Sequence, residues 1–475
     1  MSTCCTSRSP SGGFDLAVVG AGSAGFSAAI TAAEQGARVA LIGHGTIGGT
    51  CVNVGCVPSK TLIRATESLH NARVAARFAG IRGHSVVEDW HALIVQKDEL
   101  VTGLRKARYL DLLPEYNTIA YVEGQARITP QGIHVNGERL RIGKTIVATG
   151  ASAARPSITG IEDTDYLSST RALELQELPR SMLVIGGGYI GCELAQLFSR
   201  AGVRVTLVCR SCLLPEGEPE ISEALAGCLR DDGVDVRAGL VYRQMRRIES
   251  GIALDVSSNG AAEVLEAEVM LAATGRRPNT EGLGLADVEA ALTERGGIRV
   301  DEHLRTTNSQ IYAAGDVTGR HQFVYMAAYG AKLAALNALN GDTERYDATA
   351  MPMVTFTDPQ VASVGLTEAA ARIAGVDVKA SVLPLDAVPR ALAARETRGL
   401  IKLVANTATD RLLGAHILAP EGCDSIQTAA LAIKHRMTTK ALGETIFPYL
   451  TTVEGLKLAA LSFGKDVTRL SCCAG

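Results

Sequence analysis

The sequence predicts an α/β protein with two Rossmann-like dinucleotide-binding domains and a C-terminal α+β domain. Three observations predict it. The pattern strand, G-x-G-x-x-G, helix, strand occurs twice; a short apolar strand ending in Thr-Gly follows each copy; and from about Thr349 the chain alternates like an antiparallel sheet. A length of 475 residues accommodates about three domains. Hydrophobic residues at 47% and charged residues at 20% exclude a disordered or fibrous chain. Lys and Arg number 47 against 50 Asp and Glu, with no basic block, so neither nucleic acid nor an anionic membrane surface is an expected partner. No apolar run reaches the ~18 residues a spanning helix needs. Met1 to Gly13 has no apolar core, which argues against a secretory signal. It reads as a disordered arm, and the expected location is cytoplasmic.

The first unit occupies residues 14 to 42. The apolar run Leu16 to Val19 is followed by Gly20, Gly22 and Gly25, a small-residue helix pattern, and a second apolar run ending at Ile42. The first glycine allows the tight turn, the second lets backbone approach a pyrophosphate, and the third lets helix and strand pack closely. Phosphates then face unpaired N–H groups at the helix start. Gly186, Gly188 and Gly191 repeat the spacing within residues 182 to 208, so two dinucleotides are expected. After the second strand of that copy comes Val208-Cys209-Arg210, with no acid. Arg210 suits a 2′-phosphate and favours NADPH over NADH. In the first copy the corresponding Ile42-Gly43-His44 also lacks the acid that would hold a ribose.

Between the two units the periodicity predicts helices over about 60–78 and 89–112, then β segments including the Asn136-Gly137 hairpin signal. Ile146 to Gly150, Met270 to Gly275 and Ile311 to Asp316 read as buried strands. A helix is predicted near Ile426 to Met437.

Eleven cysteines, an odd number in a long chain without an export signal, point to metal or redox chemistry rather than a disulfide scaffold. Cys51 and Cys56 follow the first unit. In a continuous helix they would be separated by about 7.5 Å of rise, slightly beyond disulfide reach, and Gly55 permits the distortion that closes the gap. Pro58 marks a first helical turn, so Cys56 lies near a helix N-terminus with Lys60 one turn on; both features favour a thiolate. Cys472 and Cys473, adjacent at the end, cannot easily bridge each other but can offer two thiolates to one soft metal ion. Cys4-Cys5 and Cys209-x-x-Cys212 read as incidental.

The segment GTCVNVGCVPSK, both glycine motifs, ATGRRPN at 273–279 and AAGD at 313–316 resemble the flavoprotein disulfide reductases from Phe14 to Gly475. The resemblance implies an FAD domain over 14–152 and 276–348, an NADPH domain over 153–275, and a dimer-interface domain over 349–475. It implies FAD on Gly20, Gly22 and Gly25, with Gly45, Thr50, Lys60, Ala126, Asp316 and Val324 as further contacts. Cys56 would be the flavin-facing thiolate and Cys51 the exchanging thiol. Lys60 would pair with Glu193, and Tyr189 would gate the nicotinamide site.

Members that reduce disulfides carry a His-Pro…Glu segment whose His shuttles the proton. Counting back five residues from Glu454 gives Tyr449 in this chain. A phenol titrating near 10 is a poor shuttle at neutral pH. With the terminal Cys-Cys, this makes the chain similar to the mercury-reducing members. The implied activity is NADPH-dependent reduction of thiol-bound Hg(II) to Hg(0) in a homodimer, with Cys51, Cys56, Cys472 and Cys473 as metal ligands and the site shared across subunits. The alternatives are a reductase of a small disulfide of the glutathione or lipoamide type, and a non-catalytic soft-metal binder. Tyr449 argues against the first, and two dinucleotide motifs argue against the second.

Overall fold

A computed structural model describes residues 13–466. The arm before it and the tail after it, with Cys4, Cys5, Cys472 and Cys473, lie outside the described residues. The chain divides into two compact units. Of the described residues, one comprises 13–61, 94–154 and 275–347, the other 62–93, 155–274 and 348–466.

The first unit is built on a five-stranded parallel sheet in the order Ile311–Ala313, Ile142–Val147, Phe14–Val19, Val39–Gly43, Ile119–Glu123. Its central strand is buried along almost its whole length, as a strand covered on both faces must be. The register sets Leu16 opposite Val39 and Val19 opposite both Ile42 and Val147. The helices Ser23–Glu34 and Val324–Asn340 pack together, and the Ser27 hydroxyl donates to the Ala328 carbonyl at 2.8 Å. The buried residues of both helices are mostly Ala, small enough for a close approach. The Asn136-Gly137 signal closes a hairpin between Gly132–Val135 and Glu138–Leu140, with both turn residues at positive φ, 51° and 87°.

The second unit carries another five-stranded parallel sheet, ordered Asp235–Arg237, Arg204–Val208, Ser181–Ile185, Val269–Ala272, Leu167–Ser168. A three-stranded antiparallel sheet, Val241–Ile248, Gly251–Ser258 and Ala261–Ala267, shares its apolar core. The same unit holds the five-stranded antiparallel sheet foreseen after Thr349, ordered Pro352–Thr355, Gln360–Gly365, Leu412–Ala419, Leu400–Asn406, Val378–Pro384. The helices Gly422–Lys434 and Glu454–Leu461 cover it.

Boundaries moved more than elements did. The predicted 60–78 helix starts at Cys56 and ends at Arg73, continuing as a 3₁₀ turn to Arg77. The predicted 89–112 helix is α-helical over Trp90–Arg105 and then widens to a π-helical turn over Lys106–Leu110. The 426–437 helix begins four residues earlier, at Gly422. Among the described residues, no helix is long and apolar enough to cross a membrane.

Candidate active site with two dinucleotide turns and a dithiol

The two glycine turns share one construction. Gly20 and Gly186 both adopt φ of 119°, and a Cβ there would lie 2.2 Å from the Ala148 carbonyl oxygen or 2.3 Å from that of Ala273. A Cβ on Gly25 or Gly191 would strike the oxygen of Gly20 or Gly186, at 1.7 and 1.8 Å; these glycines let each helix press against its own turn. The middle glycines differ. A Cβ on Gly188 would meet nothing within 4 Å, and one on Gly22 would make only ordinary contact with Gly49 at 3.4 Å. Space therefore lies over the middle glycine in each turn. Neither helix that follows, Ser23–Glu34 nor Tyr189–Ala201, has a side-chain cap at its start. Open space beside uncapped N–H donors is what a pyrophosphate requires, so the residues fit a dinucleotide at both turns.

The dithiol segment is stitched to the first turn. The Gly48 N–H donates to the Ala21 carbonyl at 2.9 Å, and Gly22 and Gly48 form an isolated parallel bridge. The Asn53 amide donates to the carbonyls of Ile47 and Gly49, both at 2.9 Å, and the Arg105 guanidinium donates to its oxygen at 3.2 Å. The helix Gly49–Val54 carries Cys51. Gly55 breaks it with φ −127° and ψ −109°, and the helix Cys56–Arg73 starts at once. Gly55 is the hinge that lets the two sulfurs meet, and a Cβ there would crowd the Thr50 carbonyl at 2.9 Å.

Both cysteines are in the thiol form, outside any disulfide, and partly buried. The Cys51 thiol donates a hydrogen bond to Cys56, which, with burial, pushes its pKa far above the ordinary thiol value; the Lys60 ammonium pulls the other way. The proton of the pair is thus held on Cys51, leaving Cys56, at the helix start, the better seat for negative charge.

Two residues that the sequence reading did not single out as site residues join the site. Tyr109 lies in the π-helical turn, with its phenol 3.2 Å from the Ser23 hydroxyl and its ring edge-on to Phe26 at 4.9 Å. Burial raises its pKa, and the two cysteine sulfurs add to the rise; a Cβ on Gly48, at the start of the dithiol segment, would lie 3.3 Å from its ring. Arg276, within the ATGRRPN segment, donates to the Ala151 carbonyl and lies 3.5 Å from the Thr50 hydroxyl and 3.7 Å from the Asp316 carboxylate. Burial raises Asp316, and Arg276 opposes that rise.

The remaining predicted residues are placed as follows. Gly45 is exposed in the loop after the second strand, Ala126 opens the strand Ala126–Thr129, and Val324 opens the helix Val324–Asn340. In the second unit Tyr189 is the first residue of its helix. Glu193 is buried, and one carboxylate oxygen accepts the Phe356 N–H at 2.9 Å. Arg210 is exposed and stacks over the Tyr242 ring at 5.5 Å. Tyr449 is 46% exposed, and Glu454 accepts the neighbouring Leu450 N–H at 3.1 Å. Among the described residues, no group of three or more His, Cys, Asp and Glu could hold a metal.

Comparison with known proteins gives a consistent result. The family model described as pyridine nucleotide-disulphide oxidoreductase matches residues 14–331, and that of the family's dimerisation domain matches 351–460. The chain is 47% identical to a mercuric reductase of Lysinibacillus sphaericus, covering 97% of this chain and 85% of that one. It is 46% identical to a mercuric reductase of Streptomyces lividans, covering 98% and 99%. Among solved structures, the Cu(II) complex of the HOCl-induced flavoprotein disulfide reductase RclA from Escherichia coli superposes with a TM-score of 0.82 at 31% identity, over 96% of this chain and 100% of that one.

Proposed function

The chain belongs to the pyridine nucleotide-disulphide oxidoreductase family, and from that premise we propose that it is a mercury(II) reductase using FAD and NADPH. The cofactors supply two electrons, so NADPH and Hg(SR)₂ give NADP⁺, Hg(0), RSH and RS⁻. The observation that carries the reading is the hydrogen-bonded dithiol Cys51–Cys56 in a chain with Tyr449 where a disulfide-reducing relative needs a histidine.

The residues divide the work. FAD belongs on the turn Gly20, Gly22, Gly25 and NADPH on Gly186, Gly188, Gly191, with Arg210 toward the 2′-phosphate. Incoming Hg(II) arrives with two thiolate ligands. Cys56, at its helix start, displaces one of them. Cys51 displaces the second, and its proton leaves on the released thiol. Two thiolates neutralise the divalent ion, which lowers the cost of seating it in a partly buried site. The Lys60 ammonium favours the ionised pair, and the Tyr109 ring lies against Gly48 at the start of the dithiol segment. Cys472 and Cys473 would collect the ion in solvent and hand it on, from the opposite subunit of the homodimer that the dimerisation domain builds. Tyr449 and Tyr189 would border that transfer.

The test is anaerobic NADPH oxidation with cysteine-bound Hg(II), glutathione disulfide or Cu(II) as acceptor, with volatile mercury trapped. Turnover with mercury alone, lost in Cys51→Ser and in Cys56→Ser, is expected. Rapid oxidation by the disulfide and none by mercury would overturn the reading. Cys472→Ala with Cys473→Ala should spare cofactor reduction and slow turnover with thiol-bound mercury.

A further inference from the structure

Arg210 and Tyr242 meet because the chain is stitched together on either side of a strand end. The loop after the strand Arg204–Val208 runs beside residues 237 to 240. The Cys209 N–H donates to the Arg237 carbonyl at 3.0 Å, the Leu240 N–H to the Cys209 carbonyl at 3.2 Å, and the Gly239 N–H to the Ser211 carbonyl at 3.0 Å. The same loop is tied to the second dinucleotide turn, where the Leu214 N–H donates to the Gly187 carbonyl at 2.8 Å. Tyr242 follows in the strand Val241–Ile248, and a bulge aims it. Tyr242 pairs with Val256 and Gln244 with Asp255, which leaves Arg243 as an extra residue. Tyr242 and Met245 are three positions apart, so in a regular strand they would face opposite sides of the sheet. The extra residue turns both toward one apolar core, with Met245 buried in it and Tyr242 packed half-buried against it. Packing thus holds the Tyr242 ring, and the Arg210 guanidinium lies over it, 5.5 Å from the ring centre. Among the described residues, the Arg210 side chain has no hydrogen bond and no ion pair.

We infer that Tyr242 is the positioning residue for Arg210, and so a determinant of the preference for a dinucleotide that carries a 2′-phosphate. An aromatic ring attracts a guanidinium through its flat face, and the N–H donors stay in the guanidinium plane, open to a phosphate. A carboxylate partner would hold the same cation by occupying those donors, and its charge would repel the phosphate. The ring therefore fixes Arg210 without using its hydrogen bonds. An exposed arginine otherwise samples many rotamers, and one already fixed loses less freedom when the ligand arrives. NADH has no 2′-phosphate, so the contact favours NADPH alone. The attraction comes from the ring and not from the phenol hydroxyl. The inference rests on the proposed placing of the NADPH 2′-phosphate at Arg210.

The experiment titrates the full chain, with FAD bound, with 2′,5′-ADP, which carries the 2′-phosphate, and with 5′-AMP, which lacks it. Tyr242→Leu keeps an apolar side chain against the core and removes the ring. It is expected to weaken 2′,5′-ADP about two- to fivefold, the range of one cation–π contact, and to leave 5′-AMP unchanged. Tyr242→Phe should bind both ligands as wild type does. In an Arg210→Ala background, Tyr242→Leu should add no further loss. The NADPH concentration that gives half-maximal anaerobic flavin reduction should rise by the same factor, and that of NADH should not. Unchanged 2′,5′-ADP binding in Tyr242→Leu, an equal loss for 5′-AMP, or an undiminished loss in the Arg210→Ala background would overturn the inference. If Arg210→Ala itself bound 2′,5′-ADP as tightly as wild type, the placing of the 2′-phosphate would fall and this inference with it. A loss in Arg210→Ala beside none in Tyr242→Leu would sink this inference alone. None of these readouts involves mercury, so they stand apart from the test of the proposed activity.

Discussion

At the scale of single residues, the site is governed by where one proton sits. The Cys51 thiol is held protonated by its hydrogen bond to Cys56, while Lys60 draws the pair toward ionisation. Tyr109 completes this group, and its position is set by the Ser23 hydroxyl and the Phe26 ring. Tyr109→Phe keeps the ring and loses the hydroxyl. It should cost about 1 kcal/mol of stability by urea titration, the worth of one modest hydrogen bond. It should also change the rate at which Cys51 and Cys56 are alkylated by iodoacetamide, which a purely structural tyrosine would leave unmoved. Asp410 gives a residue-scale pH dependence. Burial works against its charge, but hydrogen bonds from Lys379, Thr439 and the Lys440 backbone prevail and bring its pKa down to about 2. A carboxyl depressed on folding stabilises the protein above its unfolded pKa near 3.8, and that contribution is lost as the pH falls through 2. Asp410→Asn, which suits the local φ of 57°, should flatten the loss of stability between about pH 4 and pH 2 in melts followed by circular dichroism.

At the scale of elements, each turn separates a glycine that its own packing requires from one with space over it. Gly25 and Gly191 sit where any side chain would strike the turn beneath, whereas Gly188 faces open space. Gly188→Ala should therefore fold and melt like wild type, keep its yellow FAD, and raise the KM for NADPH by at least about tenfold, because the methyl group takes the place of a phosphate oxygen. Gly25→Ala should instead yield colourless or insoluble protein, read directly from the flavin absorbance. If both variants lost flavin equally, the assignment of the two turns to different dinucleotides would be wrong. The same scale explains the dithiol. A continuous helix would separate the sulfurs, and the break at Gly55 turns one helix into two that meet at the pair.

At the scale of the whole molecule, the second unit is tied internally by a buried ionic cluster. Lys402, in the strand Leu400–Asn406, is 2% exposed and donates to Glu218 at 2.9 Å and Glu220 at 2.8 Å, with Glu368 at 3.1 Å. Glu218 and Glu220 sit at the start of the helix Pro219–Asp231 beside the parallel sheet. The cluster therefore joins the nucleotide-binding part of the unit to its antiparallel sheet. Lys402→Met keeps the bulk and strands the buried Glu218 carboxylate without its cation. It should destabilise the protein by about 3–5 kcal/mol in denaturant unfolding. An unchanged midpoint would show that the cluster adds nothing to the union of the two sheets.

What the sequence determined by itself was whatever depends on near neighbours along the chain. Three glycines at fixed spacing specify a turn because only those backbone angles and contacts allow it, and this held for both Gly20–Gly25 and Gly186–Gly191. The Asn136-Gly137 hairpin and the buried parallel strands were legible for the same reason, as was the dithiol with its glycine hinge. Helix ends were less so: periodicity continues past Arg73 and Arg105, while the hydrogen-bond pattern tightens after the first and widens after the second. Only the tertiary structure decided which distant side chains complete each site. Tyr109 and Arg276 reach the dithiol segment from far along the chain, and Tyr242 comes to lie under Arg210. No local pattern encodes such meetings, because they follow from sheet order and helix packing rather than from the torsional preferences of the residues that meet.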